Sequence, residues 1–232
     1  MVPALVRRLC SVAAPPRCAV CRDTVRSGTP ACSSCVSALE IARPILIEPG
    51  PAGIAWAAAA APFEGTARDL VHALKFGRRL SAARVAAVAI ARVTAPRLRD
   101  LTLNASPRQA ALVPVPADPL RWRWRGFDPA EEVALALARE LKMPLRRCLR
   151  RRAGPRQVGR SRAARRGSPP VVNARGNVPA CGVLVDDVWT TGATLMASAM
   201  ALRTAGARQV AAVAIAHAGR PLPHSAPRPT IP

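Results

Sequence analysis

The sequence predicts an α/β protein built on an open, mainly parallel sheet flanked by helices, and three stretches carry that prediction. The first spans residues 181–218. There the apolar run "GVLVDD", a Thr/Gly turn and the helical pattern "ATLMASAMALRTAG" precede a second apolar run, "QVAAVAIAHA". A strand, a helix and a strand of these lengths form a crossover between parallel neighbours. The second is "AALVPVP" at 110–116, a short buried strand ended by prolines, ahead of the helical pattern "PAEEVALALARELK". The third is "IAWAAAAAPF" at 54–63, read as a strand although its five consecutive alanines argue weakly against one.

The other elements follow in chain order. "SSCVSALEIA" predicts a short helix, and "RPILIEPGPAG" reads as a Pro/Gly linker. "EGTARDLVHALKF" places Ala67, Leu70, Val71 and Leu74 at helical spacing, and residues 80–94 continue as a second helix. His72, alone in the first of these, reads as a packing or surface residue. Asp128, Pro129 and Glu131 form a helix start: a capping acid, a proline at the first helical position and a carboxylate three residues after the cap. Gly206 closes the last helix. From Arg146 to Arg175 there are eleven arginines and no Asp or Glu, with Pro and Gly interruptions, which predicts a long mobile basic loop. The division expected is 1–42 for a cysteine-bearing segment, 43–218 for the α/β domain and 219–232 for a Pro-rich disordered tail.

Half of the 232 residues are apolar, enough for a sizeable core, and the formal charge is +22. All but two of the 35 basic residues are arginine, so part of that charge reads as genomic base-composition bias. The remainder favours polyanionic partners. No apolar run reaches the length of about 18 residues that a membrane span needs. No signal-peptide pattern follows Arg7 and Arg8, so a cytoplasmic location is expected. In that setting thiols or metal ligands are expected rather than disulfides.

"CAVCRDTVRSGTPACSSC" spaces Cys18, Cys21, Cys32 and Cys35 as C-x2-C-x10-C-x2-C. Two residues between thiols let a tight turn aim both sulfurs at one ion, and two such turns make a tetrahedral thiolate site. A zinc ribbon is expected, whose metal supplies the folding energy of a segment with little core. Cys10 is an alternative ligand, and Cys148 and Cys181 read as ordinary thiols.

"VLVDDVWTTGATL" at 183–195 holds Asp186 and Asp187, the only acidic residues after Glu140. Ligands of open parallel sheets sit at the carboxyl ends of strands, where this pair is expected, outside the core. The turn that follows enters a helix whose free N–H groups favour a phosphate, with Thr190, Thr191 and Thr194 as hydroxyl donors and Gly192 permitting close approach. Acids beside a phosphate cradle suit a sugar phosphate: carboxylates accept from ring hydroxyls while the turn holds the phosphate. Neither Lys75 nor Lys142 follows a glycine, so there is no Walker A loop, and there is no G-x-G-x-x-G.

That same stretch resembles the phosphoribosyl pyrophosphate (PRPP) motif of type I phosphoribosyltransferases. "LVPVPADPLRWRWRGFDPAE", "RQVGRSRAARR" and "FEGTARDLVHALKFGRR", together with the four-cysteine ribbon, are similar to the ComF family. The resemblance implies a type I phosphoribosyltransferase-like sheet from 43 to 218. It implies that Asp186 and Asp187 bind the ribose hydroxyls and that Thr190, Thr191, Gly192, Ala193 and Thr194 hold the 5′-phosphate. Val115, Pro116 and Arg121 fall in the pyrophosphate-loop position, with Arg125 beside them, and Arg160 and Arg162 in a hood over the site. Mg²⁺ would accompany PRPP, and Asp187 is the catalytic candidate by location. Trp189 departs from the family's smaller apolar residue, and Asp128 stands where the family often has Asn.

Two functions are therefore expected. One is a transferase passing phosphoribosyl to an unknown nitrogenous acceptor. The other is an accessory of competence and DNA uptake, binding single-stranded DNA or a DNA-translocating ATPase, with a vestigial or sensory PRPP site. Trp122 and Trp124, interleaved with Arg121, Arg123 and Arg125, fit the second through base stacking beside cations.

Overall fold

Alanine builds strands here because helices cover both faces of the sheet, leaving no room for larger side chains. The computed structural model describes residues 15–51, 53–77, 81–103, 109–152 and 170–219. In chain order the elements are α1 (Ser33–Ile41), β1 (Ile45–Ile47), β2 (Ala57–Pro62), α2 (Gly65–Lys75), α3 (Ser81–Leu103), β3 (Ala110–Pro114) and α4 (Pro119–Arg125). There follow α5 (Pro129–Leu141), β4 (Leu149–Arg151), β5 (Val172–Ala174), β6 (Cys181–Trp189), α6 (Ala193–Thr204) and β7 (Gln209–His217). All five alanines of β2 are buried. Ala57 and Ala59 join the core beneath α6, and Ala58 and Ala60 the core beneath α3.

The main sheet has the order β1-β2-β7-β6-β3. β2, β7, β6 and β3 are mutually parallel, and β1 pairs antiparallel with β2. At the far rim Leu145 forms a parallel bridge to Leu112, secured by Leu112 N–H to Pro144 O at 2.8 Å and Arg146 N–H to Leu112 O at 2.9 Å. The expected α/β class with a mostly parallel sheet is therefore found. The "RPILIEPGPAG" linker is corrected: its Ile45–Ile47 is the antiparallel edge strand β1. The second helix is also longer than expected, running through Pro96 to Leu103.

The 146–175 segment needs correcting as well. Its ends are strands, β4 and β5, paired antiparallel as a separate ribbon, because Leu149 and Cys148 tuck under the α6 side of the sheet and anchor it. Residues 153–169, the expected tail from 220 onward and residues 1–14, Cys10 among them, lie outside the described residues. No helix among the described residues is long and apolar enough to cross a membrane.

Crossover direction positions the site. The chain leaves β3 toward the face where Val133 and Leu137 of α5 pack with α3. It leaves β6 toward the other face, where Leu195, Ala199 and Leu202 of α6 pack. Neighbouring strands whose exits diverge open a crevice at their carboxyl ends, the usual ligand position in such sheets.

Candidate functional site

That crevice is a cavity of about 660 Å³, floored by the carboxyl ends of β3 and β6 and walled by α4 and the end of α2. Four carboxylates (Asp118, Asp128, Asp186, Asp187) and four cations (Lys75, Arg121, Arg125, Arg151) line it. Val115, Pro116, Thr190, Ala193 and Thr194 line it too. A smaller hollow of about 50 Å³ adjoins it, formed by the 188–195 turn and Asp186. It has room for one small anion or a few waters. Thr191 and Gly192 line this hollow, and Asp186 borders both spaces. The sequence-derived residues on β6, its turn and the β3–α4 loop thus meet in one place. Arg160 and Arg162 lie outside the described residues.

The acid pair follows from where β3 stops. Val115 N–H still reaches Val185 O at 2.9 Å, but past it no strand among the described residues lies on that side of β6. Asp186 Oδ1 accepts the Asp187 N–H at 2.8 Å instead, and Asp187 Oδ1 accepts the Val188 N–H at 2.6 Å. Side-chain alternation slips at the same point. Val183, Val185 and Val188 pack on the α3 side, and Leu184 and Trp189 on the α6 side.

The two acids are not equivalent. Asp187 is only 8% exposed, and its Oδ1 lies 3.0 Å from Lys75 Nζ. The expectation that both acids lie outside the core is corrected for Asp187. Asp186, at the cavity floor, has its carboxyl held well above the ordinary range. Loss of solvation is the main cause and the neighbouring Asp187 charge the second; the Asp187 N–H and Lys75 oppose them.

Asp128 caps α5 as its sequence predicts, its Oδ1 accepting from Ala130 N–H at 3.0 Å. Its Oδ2 accepts from Ala117 N–H at 2.9 Å, which ties the β3–α4 loop to α5. Burial raises its pKa, against the N–H groups of Ala117, Ala130 and Glu131. Asp118 caps α4 through Leu120 N–H and pairs with Arg151 at 3.3 Å, joining the loop to the β4–β5 ribbon. Arg125 stands over the Phe76 ring at 5.2 Å, and its Nε is buried without a hydrogen-bond partner among the described residues.

The phosphate-loop turn depends on Gly192, whose φ of +75° few side chains adopt and whose added Cβ would fall 2.9 Å from Trp189 Nε1. Trp189 in turn packs on His217, with ring centroids 4.6 Å apart. Burial lowers the His217 pKa. His72 is exposed, beside Phe63 and Phe76, as expected of a surface residue.

Sequence reasoning missed Lys75 and Arg151 as parts of the site; Asp118 lies within the 115–121 loop expected there. Lys75 left one signal: it is one of two lysines in a chain that otherwise uses arginine.

The four N-terminal thiols form a second cluster. The Sγ atoms of Cys18, Cys21, Cys32 and Cys35 all lie within 4.8 Å of one another. Sulfurs about 2.3 Å from a tetrahedral centre are about 3.8 Å apart, so the set fits one metal ion. Val20 and Cys32 each donate an N–H to Cys18 Sγ at 3.4 Å. Burial raises the Cys18 thiol, but these N–H groups and that of Cys21 outweigh it and bring it down to about 6. Ala31, Cys35 and Leu39 pack into the core shared with α3, and Arg92 holds Leu39 O at 3.0 Å.

The chain matches no protein-family model and none of the curated proteins.

Proposed function

We propose that the α/β domain is of type I phosphoribosyltransferase design and binds PRPP with Mg²⁺, passing its phosphoribosyl group to a nitrogenous acceptor. One observation carries this reading. Asp186 borders both the large cavity and the small hollow at the start of α6, so one carboxylate faces a space roomy enough for a ribose with its pyrophosphate and, beside it, a hollow with room for one small anion. The resemblance of "VLVDDVWTTGATL" to the PRPP motif supports the same roles. Asp186 and Asp187 accept from the ribose hydroxyls, while the 190–194 turn donates to the 5′-phosphate.

Arg121, Arg125 and the β3–α4 loop then face the pyrophosphate. The orphaned Arg125 Nε is a donor suited to one of its oxygens. Mg²⁺, when bound with PRPP, supplies further charge neutralisation on the pyrophosphate. As pyrophosphate departs, positive charge builds on the ribose, and the carboxylates of β6 stabilise it. Asp187, engaged by Lys75, serves in binding; Asp186, whose carboxyl burial and the Asp187 charge hold well above the ordinary range, is the better placed of the two to carry a proton. The cysteine cluster is a structural zinc site, four thiolates with no open position.

The test is incubation of the purified protein with PRPP, Mg²⁺ and a pool of heterocyclic bases, read as pyrophosphate release. Release that depends on one base supports the transferase. If PRPP at millimolar concentration neither turns over nor binds by calorimetry, the reading is wrong.

A further inference from the structure

A second groove, of about 670 Å³, lies between α4 and the β4–β5 ribbon. It shares Pro116, Ala117, Asp128 and Arg151 with the cavity, so an occupant would lie next to the carboxylates. Its walls combine two chemistries. Trp122, 52% exposed, presents an aromatic surface from α4. Arg150, Arg152 and Arg175, all exposed, present cations from the ribbon. None of these three has a carboxylate partner among the described residues, and the whole of 146–175 contains no acid to supply one. Arg151, by contrast, is taken by Asp118. Asn173 adds a neutral donor and acceptor on the same wall.

Exposed cations without an ion-pair partner repel one another, and a bound anion relieves that repulsion. An aromatic wall facing them suits a flat ring, and an amide at its edge suits ring nitrogens and carbonyls. We propose that this groove is the acceptor site and takes a planar heterocycle carrying its own negative charge, a ring carboxylate or a ring-borne phosphate. The assignment as acceptor rests on the phosphoribosyl reading; the affinity for an anionic ring does not. The ring would lie against Trp122, the anion on Arg150, Arg152 and Arg175, and a ring nitrogen toward the ribose carbon freed by pyrophosphate. The new bond is from that nitrogen to carbon and the broken bond is from carbon to pyrophosphate oxygen; an N–H nitrogen such as that of orotate gives its proton to water or to Asp186, whereas a pyridine nitrogen such as that of nicotinate has none to lose and becomes a pyridinium.

The experiment is calorimetric titration of the full chain with matched pairs: nicotinate against nicotinamide, orotate against uracil, and pyridoxal phosphate against pyridoxal. A single-stranded deoxythymidine oligonucleotide forms another arm. At least one charged member is expected to bind about 10-fold or more tightly than its neutral partner. Arg150→Ala with Arg175→Ala should remove that preference, and Trp122→Ala should weaken both members of the pair. PRPP titrated into the same arginine variant should bind as in wild type, which separates failure of the groove from failure of the cavity. Equal binding of charged and neutral members overturns the proposal. So does an unchanged preference in the arginine variant, or binding by the oligonucleotide with none of the small anions, which would make the groove a polyanion track.

Discussion

Lys75 Nζ lies 3.0 Å from Asp187 Oδ1, so the last residue of α2 neutralises the second acid of a strand-end pair. The same oxygen accepts the Val188 N–H at 2.6 Å. A carboxylate this enclosed depends on its partners. Lys75→Met is expected to destabilise the empty protein by on the order of 3 kcal/mol, the cost of leaving a mostly buried charge unpaired. Adding Asp187→Asn should restore a large part of that loss. Urea denaturation of the two single variants and the double variant measures the coupling. Strict additivity would show that the pair contributes nothing.

Asp186 gives the opposite stability response. Burial, then Asp187, raises its folded pKa above the unfolded value of about 3.9. Between those values the folded chain holds more protons than the unfolded chain. This group's contribution is therefore fully present below about pH 4 and is lost as pH rises through the raised folded value. Asp186→Asn should melt higher than wild type at pH 8, and the difference should shrink toward pH 4. A difference independent of pH, or a less stable variant at pH 8, contradicts this account.

Binding of PRPP should separate the residues by role. Asp186→Asn, which loses a carboxylate–hydroxyl bond worth roughly 1.5–3 kcal/mol, should weaken PRPP with Mg²⁺ about 10- to 150-fold. Thr191→Val should weaken ligands that carry the 5′-phosphate and leave a ribose analogue without it almost unaffected. Thermal-shift titration reads both. Wild-type affinity in Asp186→Asn would sink the assignment of ribose contacts.

Gly192 and Trp189 are expected to behave as one unit. Gly192→Ala meets the indole at 2.9 Å and must also adopt a positive φ of 75°. Trp189→Leu in the same chain removes the collision, so Gly192→Ala should cost less in the Trp189→Leu background than in wild type, the remainder being backbone strain of about 1–2 kcal/mol. Melting curves of both single variants and the double variant separate this from the cost of losing the buried indole. If Gly192→Ala costs as much in both backgrounds, the collision is not what requires glycine here.

Metal analysis tests the cysteine cluster. About one zinc per chain is expected, in line with four ligands at one tetrahedral site. Cys18→Ser should lose it and melt far lower, because Cys18 Sγ is the acceptor for both Val20 and Cys32 N–H. Full zinc content in Cys18→Ser and in Cys32→Ser would remove the ribbon assignment.

Elements with a strong local pattern were legible. β6, α6 and β7 announce themselves by apolar runs around a turn, and Asp128 with Pro129 marks the start of α5. β1 was hidden because its three residues sit among prolines and glycine. β4 and β5, "LRR" and "VNA", carry no alternation and become strands only by pairing with each other across the basic segment. The acid pair and its turn were legible as a site because they are contiguous. Lys75 was not, since its distance from Asp187, 112 residues along the chain, closes only when β2 lies beside β7 and β7 beside β6.

The two rims of the sheet bear on self-association. Four parallel strands rich in alanine and valine, with open sides, would offer a template for strand addition by a second copy. On one side β1 occupies the outer row of β2, and it is only three residues long. On the other, a single bridge at Leu145 occupies β3, and Pro144 beside it has no N–H to offer. Both rims thus end in stubs too short to hold an incoming strand. A chain half apolar by composition keeps its longest β-forming segments, β6 and β7, in the interior of the sheet, away from the contacts that seed fibrils.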